Sequence, residues 1–278
     1  MKELIANGRK IDLRSPIVMG IINLTPDSFY DGGKYQSSKK ILKSIDQMIS
    51  DGVRIVDLGA ASSKPGAEEI SEKEEMKRLL PVLKLVRNTY PNLFVSVDTY
   101  RSGVALASSE CGADMINDIG AGVFDAKMWK IIQEINLPYV MMHSQGKPSV
   151  MQRKPRYKNV TLDIFDFFKK RCLEAKEMGI HQIVLDPGFG FGKTLEHNYQ
   201  LLNELEKFSK LGFPLLVGLS RKSMIYSVLE NKPEDALNGT TVLNTIALLK
   251  GCKILRVHDV KEAKEAIKLV EFFKKVSN

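Results

Sequence analysis

Eight short apolar runs punctuate the chain, each closing on glycine or a polar residue. They are IVMGII (17–22), VRIVDLG (53–59), LFVSVD (93–98), DMIND (114–118), YVMMH (139–143), IVLDPG (183–188), LLVGLS (215–220) and ILRVHD (254–259). Their length and Val/Ile content predict buried strands of a parallel sheet. Between them the apolar period changes to that of a helix. Residues 37–51 set Ile41, Ile45, Met48 and Ile49 on one face, and 72–89 set Met76, Leu79, Leu80, Leu83 and Val86. Residues 161–178 do so with Leu162, Phe165, Phe168, Cys172 and Ala175, and 260–274 with Ala263, Ala266, Ile267 and Val270. Gly52, Gly112, Gly179, Gly212 and Gly251 supply stop signals.

Eight strand–helix alternations within 278 residues predict an α/β fold, a TIM (β/α)8 barrel, with an open doubly wound sheet as the competing arrangement. No Pro/Ser-rich linker and no shift of composition divides the chain, so a single domain over 1–278 is expected. The stretch 144–160 is polar, basic and Pro-containing, which predicts a loop.

Composition narrows the class of protein. The chain is 44% hydrophobic and 27% charged, a globular balance. Its net charge of +8 permits anionic partners. The lysines are scattered along the sequence, so they read as solvated helix faces and call for no nucleic acid. Cys111, Cys172 and Cys252 are odd in number and lack CxxC spacing, which argues against a disulfide framework or a Cys-rich metal site and for a reducing compartment. The N-terminus has no signal-peptide pattern, and no apolar stretch approaches the roughly 20 residues that cross a bilayer. A cytoplasmic protein with no membrane partner is expected.

The chemistry sits at the strand ends: Asn23, Asp57, Asp98, Asn117, His143, Asp186, Ser220–Arg221–Lys222, and Arg256 with His258. A parallel barrel converges these ends on one face, where sites form. Any one Asp, Asn or Ser there is equally a turn former or helix N-cap, and for Asp57 the two readings stand level. Caps do not explain a Lys, two Arg and two His in the same set. Asp98, Asn117 and Asp186 are acceptors suited to the adjacent N–H groups of an amidine or 2-aminopyrimidinone edge. Lys222, Arg256 and His258 come from the last two strands, the usual phosphate side of such barrels. DPGFGFGKT (186–194) imitates a phosphate loop, but Pro187 breaks GxxxxGK[ST] and Lys193 breaks GxGxxG. His143 and His258 have no zinc-site spacing, and no GxSxG elbow is present.

Taken together, the strings resemble the dihydropteroate synthases. MGIINLTPDSFYDGG (19–33) and VDLGAASSKPGA (56–67) match the two signatures of that family. SVDTYR (96–101), MINDIGAG (115–122), MMHSQGKPSVMQ (141–152), LDPGFGFGKT (185–194), GLSRKSMI (218–225), NGTT (238–241) and RVHDV (256–260) follow in the family's order. The match runs from about Ile17 to Val260.

The resemblance implies a TIM barrel that condenses 6-hydroxymethyl-7,8-dihydropterin diphosphate with p-aminobenzoate, giving dihydropteroate and pyrophosphate. It implies that Asp98, Asn117, Asp186 and Lys222 hold the pterin, with Met142, Phe191 and Gly218 lining its slot. Asn23, Arg256 and His258 would bind the diphosphate, Asn23 also touching Mg²⁺. Phe29, Ser63 and Pro65, in the loops Thr25–Asp31 and Ser62–Pro65, would enclose p-aminobenzoate, and Ser223 would receive its carboxylate. Asp31, Lys222 and Arg256 would be catalytic, Asp31 by stabilising a cationic intermediate. A homodimer is implied too. One departure stands out: the family's usual ESTRPGA reads Ala61-Ser62-Ser63-Lys64-Pro65-Gly66-Ala67 here, so Ser63 loses a methyl and Lys64 loses the bidentate fork of arginine. Either change bears on p-aminobenzoate enclosure and sulfonamide competition. Two rival expectations share the pterin residues: a methyltetrahydrofolate-dependent methyltransferase, which needs no diphosphate site, and a non-catalytic pterin-binding homologue.

Overall fold

The computed structural model describes residues 1–24, 34–61, 66 and 69–276. A hairpin of β1 (Glu3–Ala6) and β2 (Arg9–Asp12) opens the chain. Eight parallel strands follow: β3 (Ile17–Asn23), β4 (Ile55–Gly59), β5 (Phe94–Asp98), β6 (Met115–Asp118), β7 (Tyr139–Met142), β8 (Ile183–Asp186), β9 (Leu216–Val217) and β10 (Ile254–Val257). Their lateral order is β8-β7-β6-β5-β4-β3-β10-β9. A parallel bridge between Leu185 and Leu215 joins the two outer strands and closes the ring. The Leu185 amide donates to the Pro214 carbonyl at 2.9 Å across that seam.

A helix follows each barrel strand. In order these are Lys34–Ser50, Glu72–Thr89, Ser102–Glu110, Met128–Ile135, Val160–Glu177, Leu195–Asn203, Leu237–Leu249 and Val260–Val276, with a short Ser223–Tyr226 turn of helix after β9. The arrangement is the (β/α)8 barrel expected from the alternation, not the open sheet. All eight expected strands are present.

Strand alternation turns this frame into a site. Residues two apart share a face of a strand. Ile17, Met19, Ile55, Phe94, Met115, Val140, Val184, Leu216 and Ile254 form one buried apolar cluster inside the barrel. Two positions further along the same faces stand Ile21, Asp57, Ser96, Asn117, Met142, Asp186, Gly218 and Arg256. The lower interior is therefore oil, and the layer above it is polar.

The hairpin stoppers the oily end. Leu4, Ala6, Ile11 and Leu13 belong to the same apolar cluster. Its polar anchor is Asp114, which is 0% exposed. The carboxylate accepts from Asn7 Nδ2 (3.1 Å), Arg9 Nε (2.9 Å) and Nη2 (2.7 Å), Arg87 Nη2 (2.6 Å) and the Val95 amide (3.0 Å). Both oxygens are thus engaged. The hairpin turn is Asn7-Gly8, with φ of 50° and 76°. These left-handed values suit a tight two-residue hairpin turn, for which Asn-Gly is the favoured pair.

Candidate active site

At the opposite end of the barrel Asp57 gathers the polar layer. It is as buried as Asp114, at 0% exposed. Its Oδ2 accepts from Arg256 Nε at 2.7 Å and from Asn117 Nδ2 at 3.0 Å. Arg256 uses its other arm on Asp98, with Nη2 to Oδ2 at 2.8 Å. One guanidinium from β10 thereby joins carboxylates from β4 and β5, and the β6 amide joins through Asp57. Two buried acceptors of this layer, Asp57 Oδ1 and Asn117 Oδ1, have no hydrogen-bond partner among the described residues. Leaving a buried acceptor unpaired costs about 1–3 kcal/mol. A ligand rich in N–H groups, like water, can recover that cost.

The electrostatics follow from burial. Burial pushes the Asp98 carboxyl up to about 7, with Arg256 opposing and the Asp57 charge reinforcing the shift. Asp186 is also raised by burial, with Lys222 opposing. The Lys222 amine is lowered by burial to about 8, and Asp186 resists that change. Arg256 goes the other way: Asp57 and Asp98 outweigh its desolvation and hold it firmly protonated. Acids and bases here have been drawn towards neutrality, as active sites arrange.

The wall above Asp186 is a glycine-rich turn. Asp186 Oδ1 accepts from the Gly188 amide at 2.8 Å. Gly188 has φ +70°, and a Cβ there would lie 2.0 Å from the His143 carbonyl oxygen, so only glycine fits. The turn presents the Phe189 carbonyl, which accepts from Lys222 Nζ, and the Phe191 ring, whose centroid lies 4.7 Å from that nitrogen. Phe191 packs with Met142, Met151 and Ile119 in a small apolar cluster of its own. Gly218 is buried close by, where an added Cβ would stand 3.8 Å from Lys222 Nζ. Apolar side chains, carboxylates and an amine thus adjoin one another.

His258 is next to this group in chain order. Its Nδ1 lies 3.0 Å from Ser220 Oγ, and that oxygen also accepts from the His258 amide at 3.2 Å. Burial, then Arg256, pushes the imidazole down to about 4. Asn23 ends β3 with its side chain exposed, and Ser223 is exposed at the start of the short helix.

The structure thus brings Asp98, Asn117 and Arg256 into one hydrogen-bonded group. Asp186, Lys222, Met142, Phe191 and Gly218 form the adjoining wall. Asn23, His258 and Ser223 stand at the same ends of their elements, with no described contact to that group. Asp31, Phe29, Ser63 and Pro65 lie outside the described residues, as does Lys64. Asp57 is the central residue that sequence reasoning left undecided. Its distinguishing signal is an arginine 199 positions away, which no local pattern reveals.

Acidic and amide acceptors, an amine and apolar side chains thus meet at the C-terminal mouth of the barrel. Residues 19–258 match the family described as pterin binding enzyme, and the chain belongs to it. The dihydropteroate synthase of Haemophilus influenzae is 42% identical, covering 96% of this chain and 97% of that one. A Yersinia pestis dihydropteroate synthase crystallised with a sulfonamide drug superposes with a TM-score of 0.91 at 40% identity, covering 98% and 99% of the two chains. A Xanthomonas albilineans dihydropteroate synthase with 4-aminobenzoic acid gives 0.90 at 33% identity and 98% coverage of each. Within the pterin-binding enzymes, the chain is a member of the dihydropteroate synthase family, transferases of folate biosynthesis.

Proposed function

We propose that the barrel mouth joins 6-hydroxymethyl-7,8-dihydropterin diphosphate to p-aminobenzoate by loss of diphosphate followed by arylamine attack. The observation that carries the reading is the pair of buried, unpartnered acceptors beside Arg256 and Asp98. Asp98, Asn117 and Asp186 take the N–H edge of the pterin, and the ring lies against Met142 and Phe191. Lys222 donates to a ring acceptor. The CH2–O bond breaks with its electron pair leaving on the diphosphate, and the ring nitrogens share the positive charge left behind. Preorganised cations matter most where that negative charge develops. Arg256 and His258 supply donors there. Asp31 stabilises the cationic carbon, and Phe29, Ser63, Pro65 and Ser223 hold p-aminobenzoate on line with it. The aniline nitrogen is already nucleophilic at neutral pH, so no strong base is needed, and it sheds its proton after the new C–N bond forms.

Mg²⁺ belongs to this reading in a limited way. Among the described residues, no group of three or more His, Cys, Asp or Glu side chains could hold a metal ion. The exposed Asn23 amide is a single neutral oxygen donor. That set fits Mg²⁺ that arrives on the diphosphate and keeps most of its waters. When bound, the ion supplies positive charge to the leaving group.

One domain, residues 1–278, carries the whole reaction. No described helix is long and apolar enough to cross a membrane, and a cytoplasmic location is in keeping with the reducing environment read from the cysteines. The assembly is a homodimer. Its support is an exposed apolar stripe on the last two helices: Val242 and Leu249, then Leu269, Phe272 and Val276, each between 46% and 72% exposed. Phe272→Glu should convert a sedimenting dimer to monomer, and an unchanged mass would remove this face from the assembly. The reaction itself is tested by mixing the protein with pterin diphosphate, p-aminobenzoate and Mg²⁺ and following pyrophosphate release. Pterin binding without release would sink the proposal.

A further inference from the structure

Lys193 occupies the place of a phosphate-loop lysine, yet its side chain turns into the protein and is only 4% exposed. Its Nζ donates to the carbonyls of Gly188 (2.7 Å) and Phe191 (3.0 Å) and lies 3.2 Å from His143 Nδ1. An ammonium has three donors, which these three acceptors match; the His143 carbonyl, at 3.4 Å, is a fourth and longer contact. His143 is buried as well; burial and then the Lys193 charge push its pKa well down, which leaves a neutral ring with a lone pair for the lysine. Burial lowers the lysine too, while the Asp186 carboxylate opposes it. The Asn198 side chain holds the outer side of the same turn, accepting from the Gly190 amide at 2.7 Å. Lys193 pins the inner side at Gly188 and Phe191, while Gln152 and Tyr157 donate to the Gly190 and Gly192 carbonyls.

What hangs on that inner side is the wall of the site itself. The turn supplies the Phe189 carbonyl that receives Lys222, the Phe191 ring beneath the same amine, and the Gly188 amide that orients Asp186. We propose that Lys193, with His143 as its acceptor, is a positioning residue that sets affinity for the pterin ring by fixing this turn against Lys222 and Asp186. The proposal rests on the pterin reading above. A site whose supporting contacts are loosened keeps its groups but loses their aim.

Fluorescence titration of the full-length protein with 6-hydroxymethylpterin, together with steady-state kinetics, tests it. Wild-type protein that binds no pterin overturns the underlying reading and this one with it. With wild-type binding in hand, Lys193→Met should weaken pterin binding and raise the KM for pterin diphosphate about tenfold, leaving the KM for p-aminobenzoate within about twofold. His143→Asn keeps an acceptor near the Nδ1 position and should behave as wild type; His143→Phe removes it and should follow Lys193→Met. Unchanged pterin affinity in Lys193→Met, an equal rise in both KM values, or two His143 variants that behave alike would overturn the proposal. If Lys193→Met fails to fold, the two histidine variants decide the matter on the same readouts.

Discussion

Two of the barrel's fully buried aspartates, one near each end, have opposite accounts. Asp114, beneath the sheet, spends both oxygens on Asn7, Arg9, Arg87 and the Val95 amide. Asp57, at the mouth, leaves one oxygen unpaired and shares Arg256 with a second carboxylate. Similar chemistry thus serves two purposes. A saturated network holds elements together and has nothing left to offer. An unsaturated one is held in shape by the barrel and keeps its vacant acceptors for something else.

Exchanging the charges should separate the two ends most sharply. Asp57→Asn should lower kcat/KM for pterin diphosphate about a hundredfold, because Arg256 loses the carboxylate that aims it, with a smaller fall in melting temperature than Asp114→Asn because Arg256 keeps its pairing with Asp98. Asp114→Asn should do the reverse. Breaking a buried pair costs about 3–5 kcal/mol, which at this chain length is a fall of roughly 5–10 °C in Tm with kcat retained. Thermal melts beside initial-rate kinetics measure both. Equal effects on both readouts in either variant would erase the distinction.

The pH response sharpens the mouth alone. On the proposed reading pterin binding needs Asp98 ionised and Lys222 protonated, and these groups sit near 7 and 8. kcat/KM for pterin diphosphate should therefore rise as pH climbs through 7 and fall as it passes 8. The Asp98 shift also acts on stability. Its folded pKa lies above the ordinary 3.8, so its contribution is present below about 4 and is lost as pH rises through 7. Asp98→Asn should flatten both slopes. A flat kcat/KM profile between 6 and 9 in the wild type would argue against these assignments.

The smallest effect belongs to the anion side. The His258 imidazole is neutral at pH 7 because burial and Arg256 push it down to about 4. A bound anion favours the imidazolium, so binding takes up a proton. Pyrophosphate affinity measured by calorimetry should improve a few-fold from pH 7 to pH 5 relative to His258→Asn. Parallel pH dependences in the two proteins would remove His258 from the diphosphate site.

These contrasts also explain what was legible in advance. The barrel strands declare themselves because they are buried on both faces and read as continuous apolar runs; IVMGII becomes Ile17–Asn23 and YVMMH becomes Tyr139–Met142. The site residues at their tips follow from alternation once the strands are known. The hairpin was missed because its two strands have four residues each, although Asn7-Gly8 between them is a strong local turn signal. Asp57 stays undecided and Lys193 stays set aside in the sequence for a deeper reason. A strand-end aspartate looks like a cap, and a lysine after glycines looks like a failed phosphate motif. Only the distant partners, Arg256 for one and His143 for the other, decide their roles.

The stopper under the barrel has a consequence for how the chain is made. β1 and β2 leave the ribosome before the barrel strands, but Asn7 and Arg9 reach across more than a hundred positions to Asp114. Ile5 exchanges hydrogen bonds with the Gln182 side chain, 177 positions later. The hairpin thus docks only after strands made well after it, and its apolar face must wait for that surface to form.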